Sequence, residues 1–174
     1  LLGETAEIKN FYVCCGFNSI GIQSAGGAGK VTAEWMMNGE VSEDIFSLDI
    51  TRFEKFHSET KFITERVTET LGDLYAMHWP YKQHKTSRNQ KKLPFHESLK
   101  NKGACFGQVA GFERPMWFAL NGSKPEYNYS YGYQNWYKSA EHETINTRKH
   151  VGLFDLSAFA KFEIQGSEAF SDLQ

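Results

Sequence analysis

The stretch Phe11–Gly21, FYVCCGFNSIG, is followed by Gly26–Lys30, GGAGK, and then by an apolar run with helical character. The apolar residues over 8–15 predict a buried strand, and the segment 24–38 predicts a helix that ends at Gly39. Glycine lets the backbone approach a ligand without a Cβ, and a helix N-terminus offers unbonded N–H groups. The stretch therefore predicts a strand, a glycine-rich turn and a helix. It belongs either to a cofactor site or to a tight turn packed on a sheet.

Neither of two common nucleotide-binding motifs is present in this stretch. In the frame of a P-loop, Ser24 stands where the first glycine belongs, and Val31 stands where the magnesium-binding Ser or Thr belongs. The spacing from Gly26 to Gly29 also differs from the G-x-G-x-x-G fingerprint of an ADP-binding turn. The sequence argues against a P-loop ATPase, and any cofactor contact here would be a secondary one.

Eight blocks of sequence carry a resemblance to one family, and together they extend over nearly the whole chain. The blocks are Cys15–Gly21, Ala25–Lys30, Ala33–Met36 with Gly39, Leu48–Phe53, Gly111–Phe118, Gln134–Tyr137, Glu141–Glu143 and Val151–Phe162. In this order they resemble the FAD-dependent dimethylglycine and sarcosine dehydrogenases. No single block is specific, but the ordered series is.

The resemblance implies a mixed α+β fold assembled from parts of three modules. Residues 1–50 would hold the last strand and helix of a flavin domain of the D-amino-acid-oxidase type, and 51–108 a small linking domain. Residues 109–174 would begin a folate-binding domain related to the glycine-cleavage aminomethyltransferase. The chain opens without Met and stops at an apparent helix start. We therefore expect an internal fragment without the true N-terminus, inactive alone.

The resemblance also implies FAD and tetrahydrofolate as cofactors. Backbone N–H groups near the flavin N1 and C2 carbonyl would stabilise the charge that hydride transfer delivers. The residues expected to bind the flavin are Gly16, Phe17, Asn18, Ser19, Ile20, Gly21, Gly26 and Gly27. Alternatively, the Asn18 and Ser19 side chains only cap the turn. In the folate module, Phe159 falls where the family has a pterin-lining Met, so it is either a pocket wall or a core residue. No catalytic residue can be named.

Composition limits the other classes of function. The net charge of −2 gives no reason to expect nucleic acid, and no apolar run is long enough to span a membrane. Three cysteines, two of them adjacent, do not form a disulfide framework, and we expect buried, reduced thiols. The histidine spacings match no zinc motif, so no metal is expected.

Coarser patterns predict the remaining elements. Helices are expected over 59–74, 93–102 and 141–151, and strands over 153–156 and 160–164. Residues 127–131 alternate as an edge strand or an extended wall. The spacing of Thr51 and Glu54 matches a capping box. Lys82 to Lys92 is basic, either as a solvated loop or as an anion-steering surface. The aromatic segment with Trp117, Phe118 and Trp136 is expected to join the linking and folate modules.

The functional expectation is a part of a flavoenzyme that oxidises N-methylated glycine-type amines. Hydride would pass to FAD, and tetrahydrofolate would accept the one-carbon unit. Oxygen or an electron-transfer protein would reoxidise the flavin, in a bacterial cytoplasm or the mitochondrial matrix. An alternative is a non-catalytic relative such as the regulatory subunit of pyruvate dehydrogenase phosphatase. A stand-alone binding domain is the third reading, and the ends of the sequence argue against it.

Overall fold

A computed structural model describes residues 1–41 and 43–173, and these form two compact units. Unit 1 is Leu1–Ala76, and unit 2 begins at Met77. The elements of unit 1 are β1 (Leu2–Glu4), β2 (Tyr12–Cys14), α1 (Gly21–Asn38) and α2 (Thr60–Tyr75). The elements of unit 2 are β3 (Lys91–Lys92), α3 (His96–Asn101), β4 (Ala104–Val109), β5 (Phe112–Phe118) and α4 (Tyr137–Lys149). Short 3₁₀ turns lie at Ile50–Arg52, Lys55–Ser58 and Ser171–Leu173. The mixed α and β character agrees with the sequence.

In unit 1, α1 packs on a two-stranded antiparallel sheet of β1 and β2. Leu2, Ala28 and Ile45 are its buried core, and Trp35 packs against them. Burial of such apolar surface is the main force that holds so small a sheet and one helix together. No helix among the described residues is both long and apolar enough to cross a bilayer.

The strand and helix bounds differ from those expected at the start of the chain. The strand covers only 12–14 because the preceding residues form a turn: Asn10 has a φ of 62°, and the N–H of Thr5 donates to the Phe11 carbonyl. The expected burial of Cys14 and Cys15 is wrong, since both are exposed. The helix begins at Gly21, three residues early, because Ser24 N–H already bonds to the Ile20 carbonyl.

The end of α1 is as expected. Gly39 adopts a left-handed conformation, with φ 78°, and its N–H donates to the Trp35 carbonyl at 2.9 Å. A residue with a Cβ would be strained there, so glycine stops the helix.

Gly3 gives a direct test of how β1 packs on α1. A Cβ added to Gly3 would lie 2.5 Å from two ring carbons of Trp35, and its φ is +116°. We expect Gly3→Ala to lower the free energy of unfolding of unit 1 by roughly 1–3 kcal/mol, because the partly buried indole has to shift. The measurement is urea denaturation followed by circular dichroism. In the control Gly26→Ala the new Cβ meets nothing within 4 Å, and the helix should gain about 0.5–1 kcal/mol. Equal stability of Gly3→Ala and the parent chain would contradict this packing.

Helix α2 confirms the expected helix over 59–74. Its buried residue Phe62 packs edge-on against Phe56 and His57, with ring centroids 5.3 and 5.0 Å apart. The expected capping box of Thr51 and Glu54 is wrong. Asp49 caps the Ile50–Arg52 turn instead, accepting from Thr51 N–H at 2.7 Å, while Glu54 forms a box with His57. An acidic residue just ahead of a helical turn readily accepts from the first backbone N–H groups of the turn. Asp49 holds that position here, whereas Thr51 lies inside the turn.

Unit 2 is built on the antiparallel β4–β5 hairpin, with β3 parallel to β5 on the other side. The hairpin turn is Ala110-Gly111, both with positive φ, as a type I′ hairpin turn requires. The expected helices over 93–102 and 141–151 appear as α3 and α4, and His96 of α3 is buried.

Two expected strands in unit 2, over 153–156 and 160–164, are absent from the described residues, and so is the edge strand that was one of the two readings of 127–131. Over 127–131, the N–H groups of Asn128 and Ser130 donate to the side chains of Asn135 and Gln134, so they pair with no strand. The segments 153–156 and 160–164 are irregular, and the Lys161 ammonium bonds to the carbonyl oxygens of Leu156, Ser157 and Phe159. Over 127–131, side chains take backbone hydrogen bonds that a neighbouring strand would need, so alternation there does not produce a strand.

Candidate functional site

In unit 1, the turn 16–20 that was expected to bind the flavin leads directly into α1. Gly16, Asn18 and Ser19 have φ values of 75°, 44° and 75°. Ile20 N–H closes the turn by donating to the Phe17 carbonyl at 3.0 Å. Positive φ at two non-glycine residues is uncommon and requires support from the surrounding structure or from a ligand. The turn is therefore tight and mostly exposed, and its backbone leads directly into the first residue of α1.

The N-terminus of α1 is open to a ligand. The cap residue Ile20 makes no side-chain hydrogen bond, and the first turn contains no acidic residue. The first N–H groups of a helix lack intrahelical partners and carry a partial positive charge. Among the described residues, the side chains of Asn18 and Ser19 bond to no other group, so the alternative that they only cap the turn is wrong.

The glycines Gly26 and Gly27 lie inside α1 rather than before it. A Cβ added at either position would meet nothing within 4 Å, and the neighbouring Ile22 is 99% exposed. The second turn of the helix therefore presents bare backbone on its outer side. This surface and the free N–H groups suit a flat, electron-rich group such as the flavin ring, which needs close approach and hydrogen-bond donors.

In unit 2, Phe159 lies on an exposed loop. Its ring is 53% exposed, and the Arg114 guanidinium carbon lies 4.8 Å from the ring centroid. Phe159 is therefore half-exposed within this unit, and whether it is a pocket wall or a core residue of the longer protein stays a prediction. In the same loop, Asp155 Oδ1 accepts from Ser157 N–H at 2.9 Å, while its Oδ2 is buried with no partner among the described residues. The loop thus carries an aromatic ring and a carboxylate, and the Arg114 guanidinium of β5 lies against the ring.

The sequence reasoning missed a buried ion pair in unit 2. Arg88 Nε donates to Glu113 Oε1 at 2.8 Å, and Arg88 Nη2 pairs with the other carboxylate oxygen. The guanidinium also donates to the His84 and Phe106 carbonyls, and Asn89 N–H donates to Glu113. Glu113 is 1% exposed. Arg88 is therefore not part of a solvated basic surface. A single acid within the apolar β5 stretch was the one signal of the pair in the sequence.

The Arg88–Glu113 pair borders a cavity of about 430 Å³ within unit 2. Its walls come from the segments 83–89, 96–106 and 125–129. His96 stacks on Phe106 there with ring centroids 4.0 Å apart, and its Nδ1 is buried with no partner among the described residues. Burial is the main cause that lowers the pKa of His96, so the ring is held neutral.

Burial and charge set the protonation of the other groups at this cavity. Burial raises the pKa of Cys105 to about 12, so this thiol is unreactive. Its burial is the one expected from the sequence. Burial alone would raise the pKa of Glu113, but the hydrogen bonds from Arg88 and Asn89 lower it overall. The pKa of the Arg88 guanidinium is raised in turn, chiefly by its bond to Glu113. The pair is thus ionised and structural.

Two family models match consecutive parts of this chain. The FAD dependent oxidoreductase central domain matches residues 38–92, and the GCVT N-terminal domain matches residues 95–174. Together they define a class of protein in which part of a flavin oxidoreductase precedes an aminomethyltransferase-like domain.

Curated relatives match over nearly the whole chain. The 4-methylaminobutanoate oxidase (formaldehyde-forming) of Paenarthrobacter nicotinovorans is 44% identical over 99% of this chain and 21% of its own length. Human mitochondrial sarcosine dehydrogenase is 34% identical over 97% of the chain and 21% of its own length. The mouse mitochondrial pyruvate dehydrogenase phosphatase regulatory subunit is 34% identical over 100% of the chain and 20% of its own length.

The chain belongs to the FAD-dependent dimethylglycine and sarcosine dehydrogenase family. It spans about a fifth of the length of the curated relatives that it matches.

Proposed function

We propose that the chain is part of a flavoenzyme that oxidises N-methylated amines of the sarcosine or dimethylglycine type. The observation that carries this proposal is the 44% identity to an oxidase whose name states a methylamino substrate and formaldehyde as product. The small-molecule amine, FAD and tetrahydrofolate are its partners, and oxygen or an electron-transfer protein takes the electrons. We place the protein in a bacterial cytoplasm or a mitochondrial matrix, and the word mitochondrial in the names of several relatives supports the second location.

In this proposal, residues 16–21 with Gly26 and Gly27 hold one edge of the flavin. FAD supplies the hydride acceptor when it is bound. The chain contributes the N–H groups of the turn and of the α1 N-terminus, which donate to an electron-rich edge and stabilise negative charge there. Because Gly26 and Gly27 have no Cβ, the outer side of the helix leaves room for a ring. The amine oxidation itself needs residues beyond those described.

The proposal also includes a folate site in the second part of the chain, with Phe159 as one of its residues. We propose that residues 1–50 complete a flavin domain, that 51–108 link the modules and that 109–174 begin the folate-binding domain. The match of the GCVT N-terminal domain to 95–174 supports the folate assignment. Phe159 would be a wall of the pterin pocket, since its half-exposed ring can stack on a flat heterocycle.

A regulatory role is the second candidate, because a phosphatase regulatory subunit is 34% identical over the entire chain. Flavin content and turnover of the full-length protein separate the two candidates. The enzyme should bleach its flavin on anaerobic addition of sarcosine or dimethylglycine, and a regulatory subunit should not. The isolated chain should retain no flavin under either candidate, because one edge of the ring alone gives few contacts.

Gly27→Val tests the flavin assignment of this turn. The valine Cβ meets nothing within 4 Å, so the fold should stay as stable as before. We expect the flavin-to-protein ratio of the full-length variant to fall at least about tenfold if the ring lies over Gly27, because a branched side chain blocks the approach. The matched control is Gly72→Val, since Gly72 of α2 has the same open surroundings. Unchanged flavin content and reduction potential in Gly27→Val would exclude Gly27 from the site.

A further inference from the structure

The loop 155–161 keeps its conformation with little burial of its side chains. Leu156 is 58% exposed and Phe159 is 53% exposed. The loop contains no strand or helix in the described part of the chain. Apolar packing therefore contributes little to its shape, and polar contacts have to fix it.

The polar contacts converge on the Lys161 ammonium. Lys161 Nζ donates to the carbonyl oxygens of Leu156, Ser157 and Phe159 at 3.0, 3.1 and 2.7 Å. An ammonium has three donors and no acceptor, so these bonds use its full capacity. The loop backbone thus wraps around one cation. Bonds from a charged donor are stronger than those between neutral groups.

Two further bonds fix the start of the same loop. Asp155 Oδ1 accepts from Ser157 N–H at 2.9 Å, and Phe159 N–H donates to the Leu156 carbonyl at 3.1 Å. The peptide carbonyl of Phe159 is itself one of the Lys161 acceptors. The direction of the Phe159 side chain, which faces the Arg114 guanidinium at 4.8 Å, is therefore set by the residue two positions later.

We propose that Lys161 is a positioning residue for the wall formed by Phe159 and Arg114. Its ammonium holds the loop so that the ring of Phe159 stays against the guanidinium and presents its other face to a flat, electron-rich heterocycle. This inference rests on the proposed function for the ligand, a reduced pterin, but the role of Lys161 in the loop is independent of it. Lys161 itself need not touch the ligand.

The test uses the full-length protein and two readouts. Phe159→Trp places an indole in the loop, and its emission and acrylamide quenching report how fixed the position is. Tetrahydrofolate binding is measured separately by calorimetry, in proteins that keep phenylalanine at position 159. Lys161→Met keeps the length of the aliphatic chain and removes the ammonium. Lys161→Arg restores a cation with several donors. Lys102→Met is the control, since Lys102 is exposed and its side chain bonds to no described residue.

We expect Lys161→Met to raise the quenching of the indole at position 159 and to weaken tetrahydrofolate binding about tenfold. The denaturation midpoint of the protein should stay the same. Lys161→Arg should recover most of both signals, and Lys102→Met should change neither. Recovery by arginine would distinguish positioning from a general loss of structure.

Three results would count against parts of this inference. An unchanged indole signal in Lys161→Met would overturn the role of Lys161 in the loop. A changed indole signal with unchanged tetrahydrofolate affinity would overturn the link between this loop and the pterin. If the parent protein binds no tetrahydrofolate, the proposed function fails, and the indole signal alone then decides whether Lys161 positions the loop.

Discussion

Arg88→Met should lower the free energy of unfolding of unit 2 by about 3–5 kcal/mol at neutral pH. The substitution leaves the Glu113 carboxylate buried, and among the described residues the Asn89 N–H is then its one remaining hydrogen-bond donor. It also removes the donors to the His84 and Phe106 carbonyls. A charge that loses its partner in a buried site costs far more than an exposed ion pair contributes. Urea denaturation followed by circular dichroism measures the loss.

The pH dependence of this loss has a definite sign. In the parent chain the pKa of Glu113 is lowered, so the pair contributes stability above the ordinary carboxyl pKa and loses it as the pH falls through the lowered value. In Arg88→Met, burial is left as the main influence and raises the pKa of Glu113. The variant should therefore regain stability as the pH falls toward 5, where the buried acid takes up a proton. Denaturation at several pH values between about 5 and 8 follows the change.

The matched control removes both charges. The double variant Arg88→Met with Glu113→Leu leaves no buried carboxylate without its partner, so at least half of the lost stability should return. Asn89 N–H loses its acceptor in that double variant, so recovery stays incomplete. If the double variant were less stable than Arg88→Met, the loss of the ion pair itself, rather than the unpaired Glu113 carboxylate, would account for the lower free energy of unfolding.

The sequence predicted those features of the fold that depend on local signals. Helix α1 ends at Gly39 because that position needs a left-handed residue, and α2 follows from the spacing of its apolar residues. The strands were predicted less well. The alternation in 127–131 is real, but side chains of Gln134 and Asn135 satisfy its backbone groups. Alternation identifies a strand only when a neighbouring backbone is available.

The candidate sites follow the same division. The turn 16–20 could be predicted as a turn because glycines before a helix have a local conformational role, while its role at a flavin stays a prediction. The Arg88–Glu113 pair was missed because its partners are 25 residues apart and only the fold brings them together. The Lys161 contacts were missed because Lys161 lay in a segment that alternates like a strand. Long-range pairing and side-chain bonds to the backbone are the two kinds of contact that a local pattern does not encode.

Trp117→Ala should cost unit 2 about 3–5 kcal/mol of unfolding free energy, because the ring is 3% exposed. Trp117 lies opposite Cys105 in the β4–β5 hairpin, and its ring meets Tyr127 edge-on with centroids 6.3 Å apart. Tyr127 in turn contacts Trp136 at 5.2 Å, so one deletion loosens both neighbouring rings. Met116→Ala, one residue earlier on the opposite face of β5 and 40% exposed, should cost less than about 1 kcal/mol.

In the full-length protein the same variant tests whether this aromatic segment couples two activities. If it supports only the folate module, Trp117→Ala should reduce tetrahydrofolate-dependent capture of formaldehyde while oxidation of the amine with an artificial acceptor stays nearly normal. That selectivity is expected because Trp117, its ring neighbour Tyr127 and Trp136, which contacts Tyr127, all lie in the part matched by the GCVT N-terminal domain. Equal loss of both activities, or no loss of either, would mean that the segment contributes to stability alone and does not join the two reactions.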